Sequence, residues 1–342
     1  MSQQQVCKRA GLAQGYYSRI ENDLAGEGPS EDALQKIAEA LDFPQEFFFL
    51  PDGAVSQPLS LHPMNRKKAS TGVKALSKVH AELNLRLIHM RRLIEAVDLE
   101  PELEVPRYEV GIDGSPAEIA GNLRQAWAMP DGAIADLTDW CEAAGLIVVH
   151  CPLAAGIDGV TMKVRDLPPC VFINNTVTAD RMRFSLAHEL GHAVLHRFPT
   201  DTMEEEANRF ASEFLVPANR LRRAARGQKI DLAWLARQKR YWKVSMGAVL
   251  YRVGELEILT KHQTRYLWQQ MARLGWRVRE PEETDFAPEN PSVFPRLLEV
   301  HSKELGYDSA MMRKMLRIGE ADLEALYPST FDRARGGLRV VK

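Results

Sequence analysis

Apolar residues along this chain recur mainly three and four positions apart, the spacing of a helix with one buried face. The first such stretches cover residues 2–10 and 13–21, with Gly11 and Leu12 as the turn between them, and 32–41 follows. Residues 51–58 punctuate like a linker. Leu76, Val79, Leu83, Leu87, Met90 and Ile94 then predict one long amphipathic helix, closed by Pro101 and Pro106. Helices at 115–127 and up to Ala143 flank a Pro130–Asp131–Gly132 turn. The period changes next: apolar runs at 146–149, 160–164 and 170–173, bounded by glycine, proline and asparagine, predict three short strands. Helical character resumes at 180–198, 204–215, 221–226, 232–239 and 245–254, and residues 260–330 read as a further helical section. The pattern predicts an α+β fold, predominantly helical, with one small mixed sheet.

Charge adds a contrast that the apolar pattern does not carry. The net charge of −2 favours neither a polyanion binder nor a membrane surface. Locally the balance differs. Residues 1–50 hold four basic side chains (Lys8, Arg9, Arg19, Lys36) against eight acidic ones. The long helix and its approach hold Arg66, Lys67, Lys68, Lys74, Lys78, Arg86, Arg91 and Arg92 against Glu82, Glu95 and Asp98. Such a basic connector either helps hold DNA phosphates or is a solvated face that packs a dimer or the peptidase domain. Cys7, Cys141, Cys151 and Cys170 show no C-x-x-C spacing, so buried thiols are the expectation. No basic start leads into an apolar core and no apolar run is long enough to span a bilayer, which predicts a cytoplasmic protein with no membrane partner.

The candidate chemistry is concentrated at His188–Glu189–Leu190–Gly191–His192, an H-E-x-x-H pattern inside a predicted helix without interior proline. Residues i and i+4 share a helix face, so His188 and His192 suit two corners of a tetrahedral Zn2+ site, with Glu189 beside the metal as general base. Its task would be to take a proton from the activated water and pass it to a leaving amine. A catalytic zinc needs a third protein ligand. The break at Pro199–Thr200–Asp201 is short enough for the helix over 204–215 to fold back and supply a carboxylate from its acidic start. Glu204 is the choice because Glu204 and Asn208 resemble the E-x-x-x-N/D pair usual in zinc peptidases of the two-His-one-Glu type; the two share a helix face, while Glu205 and Glu206 turn away. Glutamates there also complement a helix dipole. His196 is excluded as a ligand, because His188 and His196 would lie about 12 Å apart along a straight helix; it reads as a helix-end histidine.

Residues 184–196 and 204–217, with Trp127–Ile134, Trp242–Met246 and Arg273–Pro281 flanking them, resemble the ImmA/IrrE family of zinc metallopeptidases. The resemblance covers about residues 105–285 and implies a zincin-like fold that cleaves a regulatory protein, typically a helix-turn-helix repressor. Residues 9–22 resemble the helix-turn-helix of XRE/Cro-type regulators, whose second helix enters the major groove. That resemblance makes Gln14 and Gly15 groove-facing and puts Ser18 and Arg19 nearer the backbone, with Tyr16 and Tyr17 as core or contact residues. It also implies a bundle lacking its usual first helix. An acidic reader binds phosphate poorly alone, and a homodimer on two half-sites would compensate.

The domain organisation read from these signals is a helix-turn-helix at 1–52, a linker and basic helix at 53–104, a metallopeptidase domain at 105–260 and a helical C-terminal section at 261–342. Segments 294–305, 309–316 and 320–327 resemble the C-terminal part of fused regulator–peptidase proteins. Three readings follow: a zinc endopeptidase acting on a protein substrate, a DNA-binding regulator whose peptidase-like domain senses a ligand or partner, and a switch combining both. The intact H-E-x-x-H and Glu204 set favours the first and third, since a pure sensor has no evident use for a base beside the metal.

Overall fold

The computed structural model describes residues 1–24, 26, 28–49 and 73–327, apart from the side chains at 73 and 74. The linker expected at 51–58 and the cations Arg66, Lys67 and Lys68 lie outside the described residues. The described residues group into two compact units, one holding those within 1–49, 86–98 and 295–327 and the other those within 73–85 and 99–294.

The first unit opens with α1 (Gln3–Ala10), α2 (Gln14–Glu21) and α3 (Glu31–Leu41), followed by a 3-10 turn over Gln45–Phe49. Ser2 and Gln5 form a capping box at the start of α1, and Gly11 ends it in the left-handed conformation that glycine adopts without cost. Val6, Cys7, Ala10, Tyr17, Ile37 and Ala40 make the small core between the three helices. The long helix α4 (Val73–Ile94) reaches this unit from Arg86 onward. There His89 is fully buried, 2.7 Å from the Tyr327 hydroxyl, and Arg92 donates to the Met315 carbonyl at 2.6 Å. Arg86 is buried and lies over the Tyr327 ring. Of the cations of the basic helix, Arg86 and Arg92 are thus engaged by the C-terminal segment within this unit.

The second unit centres on a three-stranded sheet of order β1-β3-β2, with β1 (Ile147–Cys151) parallel and β2 (Gly159–Met162) antiparallel to β3 (Cys170–Asn174). All five residues of β3 are buried, as suits a strand covered on both faces. Helices α5 (Pro116–Ala126) and α6 (Leu137–Ala143) precede the sheet. After it come α7 (Ala179–Leu195), α8 (Met203–Leu215), α9 (Ala218–Ala225), α10 (Leu232–Trp242), α11 (Met246–Glu255) and α12 (Lys261–Arg273). One apolar core joins α5 through Ile119 and Leu123, β1 and β3 through Val148 and Val171, α7 through Leu186 and Leu190, α8 through Phe210 and Phe214, and α12 through Leu267 and Met271.

The segment after α12 is tied into the same unit by charge. Buried Lys239 on α10 bonds Asp180 at the start of α7 (3.0 Å), Glu280 (2.9 Å) and Asp285 (3.3 Å). Glu280 also accepts the Met246 and Gly247 amides that open α11. Glu289 pairs with buried Arg183 and accepts the Leu137 and Thr138 amides. Beyond Phe294 the chain belongs to the first unit, with α13 (Val293–Glu299), a π-helical turn over Val300–Glu304, α14 (Ser309–Leu316) and α15 (Glu320–Leu326). Arg317 donates to the Glu46 carbonyl at 2.8 Å, and Gly319 sits so close to Asp42 that a Cβ there would lie 2.3 Å from its carbonyl oxygen.

Helix α7 stops at Leu195, three residues before the sequence pattern predicts. Lys163, just past the end of β2, places its ammonium on the carbonyls of His192 (3.4 Å), Ala193 (2.9 Å) and His196 (3.0 Å). A cation on the last carbonyls ends a helix well, and Pro199 disfavours helical geometry in the residue before it. Among the described residues no helix is long and apolar enough to cross a membrane.

Candidate functional site

Helix α7 is buried almost all round, and His188, Glu189 and His192 are each at most 3 % exposed. Helix α8 folds back along it, as the short break between them predicts. The close approach depends on Gly191: a Cβ there would meet Phe210 at 3.1 Å and the Ala207 backbone at 3.3 Å. That contact brings the first turn of α8 over the histidines. Glu204 reaches both, with Oε2 3.5 Å from His188 Nε2 and Oε1 3.5 Å from His192 Nε2. The two Nε2 atoms are 3.0 Å apart. One donor atom from each of His188, His192 and Glu204 lies within 4.8 Å of the others, a group with the composition to hold a metal ion. Glu204, with 30 % of its side chain exposed, is the side from which solvent reaches the cluster.

Two observations fit a cation at this point. Glu204 Oε1 is buried and has no hydrogen-bond partner, which is costly unless something positive faces it. His188 Nδ1 is 3.1 Å from Asn208 Oδ1, so Nδ1 carries the proton and Nε2 turns its lone pair toward Glu204. Burial opposes a proton on His188, yet the Glu204 hydrogen bond with the charges of Glu189 and Glu204 outweighs it and raises the pKa. A field that favours a proton there also favours a divalent ion.

Glu189 is held by the sheet. Thr161 on β2 donates to Glu189 Oε2 at 2.6 Å. Gly159 on the same strand gives the carboxylate room, since a Cβ there would come within 2.9 Å of Glu189 Cγ and 3.0 Å of Oε1. Thr161 and Gly159 were invisible as site residues in the sequence, because a strand residue far along the chain has no spacing relation to a helix motif. His196, which the helix spacing excludes as a ligand, is buried, with Nδ1 3.0 Å from His192 Nδ1 and Nε2 2.9 Å from Glu206 Oε2. Glu206 does turn away from the Glu204–Asn208 face, and it turns toward His196. Burial lowers the His196 pKa, with Glu206 opposing that shift. Burial likewise brings Lys163 down to about 8.

In the first unit, Gln14 and Gly15 are the opening residues of α2 and both are exposed, as is Arg19. Ser18 is half-buried, and its carbonyl accepts the Asn22 side-chain amide at 2.7 Å. Tyr17 is a core residue, its hydroxyl 3.4 Å from Glu21, and the Tyr16 hydroxyl receives the Ser30 amide at 3.4 Å. Both tyrosines therefore serve the bundle. Four expected DNA-facing residues lie within two turns of α2, on an element other than the metal cluster.

Comparison with known families separates the same two regions. Residues 141–253 match a peptidase family described as the IrrE N-terminal-like domain, and residues 1–44 match the helix-turn-helix family. No curated protein matches the chain.

Proposed function

We propose, from an architecture that joins an ImmA/IrrE-type domain to an XRE-type helix-turn-helix, that this protein is a regulatory zinc endopeptidase coupled to a DNA-binding module. The reading rests on the convergence of His188, His192 and Glu204 beside Glu189, in a pocket where Glu204 Oε1 has no other partner. Two imidazoles and a carboxylate suit zinc, and a zinc ion held there would supply the Lewis acidity that brings a water near neutral pKa. Glu189 takes the proton from the attacking water and delivers it to the leaving amine. Thr161 holds one of its carboxylate oxygens and so fixes the direction of the other.

The substrate in this reading is an extended segment of a protein, such as a transcriptional repressor. Support comes from β2, which lies at an edge of the sheet and carries the residue that orients Glu189. An extended peptide pairs its backbone with such an edge and presents a scissile bond to the helix beside it. On the DNA side, Gln14 and Gly15 approach base edges while Ser18 and Arg19 contact the backbone, in the manner of a recognition helix.

The test is elemental analysis beside cleavage of an internally quenched peptide library. Near-stoichiometric zinc in the wild type, lost in His188→Ala and Glu204→Ala, with Glu189→Gln keeping metal but cutting about 10²–10⁴-fold more slowly, is the expected result. Undiminished cleavage by Glu189→Gln would falsify the mechanism. A wild type that cannot be loaded with metal would leave a regulator built on an inactive peptidase scaffold.

A further inference from the structure

The two imidazoles of the cluster are held by different partners. His188 Nδ1 meets the neutral amide oxygen of Asn208, whereas His192 Nδ1 meets a third imidazole, His196, which in turn meets the carboxylate of Glu206. Glu206 is itself fixed, its other oxygen accepting from Thr202 Oγ1 at 2.8 Å. The backbone of His196 is fixed as well, because Lys163 donates to its carbonyl.

We infer that His196 and Glu206 are a positioning pair that sets the tautomer of His192, and with it the affinity of the cluster for zinc. An ionised carboxylate only accepts, so His196 Nε2 must be the protonated nitrogen of that ring. Its Nδ1 is then a lone pair, and the 3.0 Å contact is a hydrogen bond only if His192 Nδ1 carries the proton. That leaves the His192 Nε2 lone pair on the side of Glu204. Run the other way, the chain would put a proton on His192 Nε2 and set the His196 Nε2 lone pair against Glu206 at 2.9 Å. The negative charge of Glu206 therefore selects the metal-binding form of a histidine that it does not touch.

The inference rests on the zinc reading, and two separate readouts keep them apart. The first is long-range proton–nitrogen NMR of histidine-labelled protein without metal. The wild type should show His192 protonated at Nδ1. Glu206→Gln, the same shape but able to donate as well as accept, should leave His192 divided between its two tautomers, and His196→Phe should abolish the bias. The second is a zinc competition titration, in which His196→Phe should weaken binding by about 10–100-fold and Glu206→Leu by several-fold. Glu206 is only half-buried, so its variants test the pair even where His196→Phe fails to fold. Unchanged His192 tautomer in the Glu206 variants, with zinc affinity within two-fold of wild type, would overturn the inference. A wild type that binds no zinc but shows Nδ1–H on His192, lost in the Glu206 variants, would sink the peptidase reading and leave the positioning pair standing.

Discussion

Helices α7 and α2 carry the two candidate activities and are built in opposite ways. Fourteen of the seventeen residues of α7 are buried, against one of the eight in α2. The side chains of α7 are held by partners on every side: β2 on Glu189, α8 on the histidines, Lys163 and Lys239 at its two ends. Of those on α2 expected to read DNA, Gln14, Gly15 and Arg19 are exposed and Ser18 is half-buried, and Tyr17 and Ile20 hold the helix from behind. A buried site gains accuracy from mutual constraint and loses it when one polar partner is removed. A reading helix stays adaptable and depends on what it meets.

The two regions should therefore fail separately. The largest effect is expected from Glu204→Ala, which should raise the zinc dissociation constant by more than about 100-fold, beyond the loss typical of an outer partner, while leaving DNA affinity within two-fold. Coupled losses in both would break the contrast. Gln14→Ala comes next: on an operator selected from random duplexes by the wild type, binding should weaken by about 5- to 150-fold, the range of one bidentate base contact. Arg19→Ala should instead weaken all sequences alike and reduce the salt slope by about one. Thr161→Val removes the hydrogen bond that aims Glu189, and should slow peptide cleavage by about ten-fold with zinc content unchanged.

The smallest effect concerns acid. Burial, reinforced by Arg86 and Arg92, lowers the His89 pKa to about 3. An unfolded chain takes up that proton near pH 6.5 and the folded one does not, so the neutral ring's contribution is full above that pH and lost as the pH falls toward 3. The first unit should lose about 2 kcal/mol between pH 6.5 and 5 on this account, and His89→Phe should remove that slope. Hydrogen exchange in the second half of α4 measures it. All six tryptophans lie between Trp127 and Trp276, so fluorescence follows the second unit alone and gives the control.

Much of this was legible in the sequence because its signals are local. The spacing of His188 and His192, the acidic start of α8 and the turn at Gly11 each involve neighbours within one or two helical turns. What escaped is long-range. Thr161 meets Glu189 across 28 residues and Arg317 meets Glu46 across 271, and no periodicity encodes either pairing. The role of His196 escaped for a different reason. Its i+4 relation to His192 is visible in the sequence, but that spacing does not say whether the ring faces an ion or, as here, its neighbour's Nδ1. The early end of α7 likewise depended on Lys163, an ammonium brought in by a strand.

The contact at Gly191 has a consequence for how this centre can change over generations. The distance between the histidines and Glu204 is set where two helices touch, through a hydrogen that stands in place of a side chain. Residues 197–202, the connection between those helices, are exposed throughout. Up to Asp201, ahead of the Thr202 hydroxyl that holds Glu206, that connection can lengthen, shorten or receive a grafted sequence without touching these contacts. One added carbon at Gly191 would meet the Phe210 ring at 3.1 Å and the Ala207 backbone at 3.3 Å, so the gauge between the two helices is kept by the smallest residue in it.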